Sequence, residues 1–114
     1  MPHFVIDCFH EIIKLKAPIE IIQKVSDTAE ASGLFTPGDI KVRINPFEHY
    51  NVGNTQDNFL HVFANIMEGR TANQKRKLSK SIVTELKTMF LDVPIISMNV
   101  RDFEKASYCN KSMV

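Results

Sequence analysis

The same order of segments occurs twice along this chain: an apolar strand, an amphipathic helix and a strand in which apolar and polar residues alternate. The first apolar run begins almost at the N-terminus, at Phe4–Phe9, and the second spans Phe59–Met67. Apolar residues at helical spacing follow each run, and a short alternating segment typical of a half-buried strand comes next. A connection of about 20 residues between two strands favours a right-handed crossover, so each half is expected to pair its strands in parallel.

Proline, glycine and capping residues set the predicted limits of the elements. Pro18 is suited to the first turn of a helix and Gly33 to its C-terminal end, which predicts a helix over residues 18–32, and Ile12–Leu15 could add an earlier turn. Thr71 and Gln74 have the spacing of a capping box, so the second helix begins there and extends to about residue 91. The first alternating strand has the apolar residues Ile40, Val42 and Ile44, and Pro46 is expected to end it. The second has Ile96, Met98 and Val100.

These segments predict an α+β fold in which β-α-β is repeated twice, giving a four-stranded sheet with two helices on one face. We expect one domain over residues 1–114, with its halves at 2–46 and 59–103. The polar tail, 104–114, is expected to extend beyond the domain. Two helices cover one face of the sheet and leave the other uncovered. The apolar residues expected on the uncovered face are Phe4, Ile6, Ile66 and Met98. An exposed apolar face of this kind predicts association between copies of the chain.

Composition and charge exclude several classes of function. The 114 residues are 44% hydrophobic and 24% charged, as in ordinary globular domains, and the formal net charge is +1. A nearly neutral chain gives no electrostatic reason to expect a nucleic acid or an anionic membrane as the main partner. No apolar run approaches the roughly 18 residues that span a bilayer, and no secretion signal is apparent at the N-terminus. Because Cys8 and Cys109 form no disulfide framework, we expect the reducing cytoplasm.

No common catalytic or cofactor motif is present. The sequence lacks a glycine-rich phosphate loop, a Cys-x-x-Cys pair, a His-Glu-x-x-His helix and a Gly-x-Ser-x-Gly elbow. The four histidines, His3, His10, His49 and His61, do not have the spacing of metal ligands, so no metal is expected.

Pro2 is the first candidate for chemistry. A small second residue favours removal of Met1, and the exposed prolyl nitrogen would be a secondary amine held at the start of a strand. An α-amino group ionises at about 7.7–8.0, and an apolar environment or nearby cations favour its free-base form. Such a nitrogen can act as a general base. The simpler interpretation is that a Met-Pro start has no role.

Three cations form the second candidate. Lys41 and Arg43 share one face of a predicted strand, and Arg70 lies just before the cap of the second helix, where the helix dipole favours an anion. A guanidinium can hold a carboxylate with two hydrogen bonds. Solvated charges at the ends of elements are the alternative interpretation.

The order and spacing of several short motifs resemble the 5-carboxymethyl-2-hydroxymuconate isomerase family, a branch of the tautomerase superfamily. The resemblance covers nearly the whole chain and includes the opening Met-Pro-His-Phe-Val-Ile-Asp-Cys, Gly33-Leu34-Phe35, Asp39–Arg43, Phe59–Val62, Ile66–Thr71 and the segment Ser97–Asn110.

That resemblance implies a homotrimer with an amino-terminal proline as general base, here Pro2. The proline moves a proton between carbons of an unsaturated, carboxylated substrate through a dienol, without a cofactor. Basic residues of the family bind the substrate carboxylates. Arg70 matches one of them, and Lys41 occupies the position of another, which is an arginine in the family. Two residues after Lys41, the chain retains an arginine, Arg43. Lysine keeps the charge but loses the planar fork of the guanidinium.

The sequence thus predicts a muconate-type isomerase that is active once Met1 is removed. The alternative is a non-enzymatic trimer of the same fold that binds a small acid or a protein partner. A small nucleic-acid-binding domain is a weaker third interpretation.

Overall fold

A computed structural model describes all residues, 1–114, and contains one four-stranded sheet. The strands are β1 (His3–Phe9), β2 (Lys41–Phe47), β3 (Phe59–Met67) and β4 (Ile95–Phe103), and the helices are α1 (Ile12–Leu15), α2 (Pro18–Ala31) and α3 (Ala72–Met89). Two 3₁₀ turns, Lys105–Ser107 and Lys111–Met113, follow β4. The strand order is β2-β1-β3-β4.

Strand pairing confirms the two β-α-β halves. β1 pairs in parallel with β2, and β3 pairs in parallel with β4, while β1 and β3 run antiparallel in the middle of the sheet. The long helices α2 and α3 lie on one face of the sheet, as expected. The capping box is formed by both of its hydrogen bonds: Gln74 N–H donates to Thr71 Oγ1 at 3.1 Å, and Thr71 N–H donates to Gln74 Oε1 at 2.8 Å.

The hydrophobic core lies between the sheet and the two long helices. Phe4, Ile6 and Cys8 point from β1 into it. Alternate residues of β3 and one stripe of each long helix also belong to it: Leu60, Val62, Ala64 and Ile66; Ile21, Val25 and Ala29; Leu78, Ile82 and Leu86. None of the helices is both long and apolar enough to cross a membrane.

The expectation for the uncovered face was wrong. Phe4, Ile6 and Ile66 are fully buried beneath the helices, and Met98 packs against the same core. Because side chains alternate along a strand, the open face carries the residues between them. This open face is mixed in character: His3, Val5 and Asp7 on β1; Arg43 and Asn45 on β2; His61, Phe63, Asn65 and Met67 on β3; Ser97, Asn99 and Arg101 on β4.

Two other expectations also need correction. Pro46 does not end β2, which continues to Phe47; β2 is an edge strand, where a residue without an N–H is tolerated. The start of the polar tail folds back on the domain. The Tyr108 ring stacks on Phe103 with centroids 5.3 Å apart, and Lys105 N–H donates to a Glu68 carboxylate oxygen at 2.6 Å.

Candidate active site

Pro2 lies immediately before β1, at the edge where β2 begins. The residue is buried, and its carbonyl oxygen accepts a hydrogen bond from the backbone N–H of Lys41 at 3.0 Å. While Met1 is attached, the Pro2 nitrogen belongs to a tertiary amide and has no basic lone pair. Loss of Met1 would convert the same nitrogen into a secondary amine at a position that the sheet fixes.

Two of the three candidate cations, Arg43 and Lys41, lie close to His3. Arg43 Nη1 lies 3.1 Å from His3 Nδ1 on the open face. A guanidinium can only donate, so this imidazole nitrogen accepts. Burial, followed by the positive charges of Arg43, Lys41 and the chain N-terminus, lowers the pKa of His3 below its ordinary value. The structure therefore brings the N-terminus and these two cations into one electropositive region.

Lys41 is less available to a ligand than its charge suggests. Its ammonium group donates to the carbonyl oxygen of Asp39 at 2.9 Å, within its own chain segment. An ammonium has three donors, so a further bond to an anion is compatible with this contact. Arg43 is more exposed and has the planar fork that a carboxylate can meet with two hydrogen bonds.

Arg70 occupies a separate position, on the helix side of the sheet. Its guanidinium donates to the carbonyl oxygens of Leu34 at 2.6 Å and Met67 at 3.2 Å, and its central carbon lies 5.2 Å from the centre of the Phe35 ring. Phe35 in turn meets Phe4 edge to face, with centroids 5.9 Å apart. Arg70 therefore reaches the start of β1 through a chain of contacts, on the other side of the strand from Arg43.

The three predicted cations thus approach the same end of β1 from two sides. The sequence does not reveal His3 and Phe35 as parts of this region. The signal for His3 is its register opposite Lys41, which becomes visible only when the strands are paired. Phe35 follows a turn and has no local periodicity that distinguishes it from a core residue.

The remaining nucleophiles and metal-binding residue types do not form a competing site. Burial, with a smaller contribution from the charge of Asp7, raises the pKa of the Cys8 thiol to about 12, so it stays protonated at neutral pH. Its sulfur lies 4.0 Å from the carbonyl oxygen of Asn45. No three His, Cys, Asp or Glu side chains converge where they could hold a metal ion.

Solved structures of several tautomerase-related proteins are similar to this chain. A 5-carboxymethyl-2-hydroxymuconate isomerase from Deinococcus radiodurans R1 aligns with a TM-score of 0.84 at 21% identity, covering 96% of this chain and 88% of that one. N1, a member of the cis-3-chloroacrylic acid dehalogenase family, aligns with a TM-score of 0.80 at 15% identity, covering 96% of this chain and 80% of that one. A fused 4-OT asymmetric trimer aligns with a TM-score of 0.79 at 14% identity, covering 96% of this chain and 92% of that one.

At these identities the structural matches show the fold. No curated protein matches the sequence significantly. A family model described as 5-carboxymethyl-2-hydroxymuconate isomerase matches residues 2–113. This match covers nearly the whole chain, including Pro2 and all three candidate cations. The chain therefore belongs to the 5-carboxymethyl-2-hydroxymuconate isomerase family.

Proposed function

We propose that this protein is an isomerase of the tautomerase type whose general base is the nitrogen of Pro2 after removal of Met1. The observation that carries the proposal is the position of Pro2: a buried residue at the start of β1, next to His3, which lies close to the positive charges of Arg43 and Lys41. Cations near an amine disfavour its protonated form, and a general base must act as the free amine. Such a base needs no cofactor.

The reaction would move one proton and one double bond. The free Pro2 nitrogen takes a proton from a carbon next to the carbonyl group or double bond of the substrate, and the electron pair of that C–H bond enters the conjugated system, which becomes a dienolate, the anion of the dienol. The protonated nitrogen then returns the proton to another carbon of the conjugated system. The enzyme ends as it began, and the substrate and product have the same composition.

The cations would bind the substrate carboxylates and stabilise the negative charge of the dienolate. Arg43 is the best placed for a two-bond contact because its guanidinium lies at the surface beside His3. Arg70 is held by Leu34 and Met67 through two of its donors, and a guanidinium has five. Lys41 would contribute mainly charge.

A homotrimer would place the open faces of three sheets against one another. Fused 4-OT proteins of this fold are described as trimers. The open face supports the assignment because Val5, Phe63 and Met67 are only half-buried there. Several of its polar groups are also already paired: His61 bonds Ser97 and Asn99 at 2.6 Å each. A paired polar group costs less to bury than an unpaired one.

A non-enzymatic trimer is the second candidate, and one observation favours it. Lys41 and Arg70 both donate to backbone carbonyl oxygens, as cations with a purely structural role do. In that case the chain would bind an acid or a protein partner without converting it.

The experiment that separates the two candidates follows isomerisation of a muconate-type dienol by absorbance. The Met-free protein is compared with Pro2→Ala, and intact mass verifies the N-terminus of each sample. We expect the rate to fall by roughly 100-fold or more, the usual contribution of a positioned general base. Equal rates in the two proteins would remove Pro2 from the mechanism. Retention of Met1 in protein from its native cell would favour the non-enzymatic candidate.

A further inference from the structure

The outer surface of the two long helices, which we call the helix layer, is divided by charge: α2 exposes carboxylates and α3 exposes cations. The carboxylates are Glu20, Asp27 and Glu30, and the cations are Arg76, Lys77, Lys80 and Lys87. None of these residues belongs to an ion pair within the chain. The proposed trimer uses the opposite face of the sheet, so the helix layer stays accessible to a partner.

The two sets of charges match in height along the helices. The ion pair between Lys24 Nζ and Glu85 Oε2, at 3.7 Å, links α2 to α3 at one height. The strand directions make the two helices antiparallel, so heights are counted in opposite directions from this pair. With a rise of about 1.5 Å per residue, two carboxylates fall within about 3 Å of the height of a cation. The matched residues are Glu20 with Lys87, and Glu30 with Lys80.

One end of the helix layer also exposes two large apolar side chains. Ile19, at the start of α2, is 67% exposed, and Leu91, two residues after the end of α3, is 80% exposed. Because the helices are antiparallel, both residues lie at the same end of the layer. The match in height therefore includes an apolar pair as well as the opposite charges.

A twofold axis parallel to the helices would make this surface complementary to a second copy of itself. Such an axis places α2 of one copy over α3 of the other and leaves every height unchanged. Glu30 then meets Lys80 of the partner subunit, Ile19 meets Leu91 of the partner subunit, and each contact occurs twice. An axis in the layer but perpendicular to the helices would instead place like charges opposite each other.

We propose that the helix layer is a second, self-complementary interface, through which a subunit of one trimer pairs with a subunit of another by a twofold axis parallel to the helices. This interface does not depend on the proposed isomerase activity. Its ion pairs lie at the surface, where salt screens them, so the pairing should be strongest at low ionic strength.

Sedimentation velocity of the full-length protein tests the proposal at about 0.05 M and about 0.5 M NaCl. The species present at high salt is the reference, whatever its number of subunits, so the result does not depend on the proposed trimer. We expect larger species at low salt. Glu30→Lys and Lys80→Glu should each weaken this association roughly tenfold, because symmetry places the altered contact in the interface twice.

Mixing the two charge-reversal variants gives the decisive comparison. The new lysine of one variant meets the new glutamate of the other, so the mixture should regain the association that each variant loses alone. Such recovery cannot arise from misfolding. The control mixes Glu30→Lys with Lys105→Glu, a reversal in the exposed tail, and should not recover it.

A second pair of variants tests the apolar contact. Leu91→Asn should weaken the association, whereas Met113→Asn, at a tail position that is 60% exposed, should leave it unchanged. Three results would overturn the proposal: no larger species at low salt, no recovery in the mixture of Glu30→Lys and Lys80→Glu, or equal effects of Leu91→Asn and Met113→Asn.

Discussion

Replacing Arg70 by alanine should destabilise the fold as well as impair the proposed site. Its guanidinium bonds two carbonyl oxygens, of Leu34 and Met67, and lies over the Phe35 ring. At a half-buried position each bond contributes about 1 kcal/mol, the central net value for a protein hydrogen bond. The cation over the ring adds about 0.5–1 kcal/mol. We therefore expect the free energy of unfolding to fall by about 2.5–3 kcal/mol in Arg70→Ala.

Urea denaturation followed by circular dichroism measures this loss, at one protomer concentration because the stability of an oligomer depends on concentration. Arg43→Ala is the matched control. Arg43 is exposed and its guanidinium donates to the His3 ring, so its removal should cost less than about 1 kcal/mol. Arg70→Lys keeps the charge but loses the fork, and should fall between the two. A loss in Arg70→Ala no larger than that in Arg43→Ala would refute the structural role of the guanidinium.

Further predictions concern the helix cap, the thiols and the response to acid. Thr71→Ala should lower the free energy of unfolding by about 1 kcal/mol and Thr71→Ser by much less, in the same denaturation assay. Iodoacetamide at pH 8 should label exposed Cys109 and not buried Cys8 until the protein is unfolded, as peptide mass would show; labelling of native Cys8 would contradict its burial. The pKa of His3 is lower in the folded protein than in the unfolded chain, so as the pH falls His3 is protonated more readily in the unfolded chain. The free energy of unfolding should therefore decline as the pH falls from about 6.5 through the folded-state pKa of His3. His3→Gln should reduce that decline, and an unchanged pH dependence would contradict the assignment.

The order of elements could be predicted from the sequence because its signals are local. Pro18, Gly33 and the Thr71 capping box mark helix ends by their own backbone chemistry, and β3 begins and ends where its apolar run does. The two crossovers follow from connection length. These features need no knowledge of distant residues.

The face that each strand turns to the core could not be predicted in the same way. In Phe4–Phe9 both alternating sets contain apolar residues, so periodicity does not indicate which set is buried, and a shift of one position exchanges the two faces. The packing of α2 and α3 on one face of the sheet decides it, and this packing joins residues that are distant in the sequence. The same limitation concealed His3, whose position opposite Lys41 follows from strand pairing, and Tyr108, whose contact with Phe103 requires the tail to fold back.

The central claim is that a prolyl amine at the start of β1 is the base. The most direct measurement compares two preparations of the same sequence, one retaining Met1 and one lacking it, for isomerisation of a muconate-type dienol. The two preparations differ only in Met1, so Arg43 and Arg70 are present in both and cannot cause a difference in rate. We predict that kcat/KM is roughly 100-fold or more higher without Met1, because only then does Pro2 carry a basic nitrogen. Equal values for the two preparations would contradict the claim.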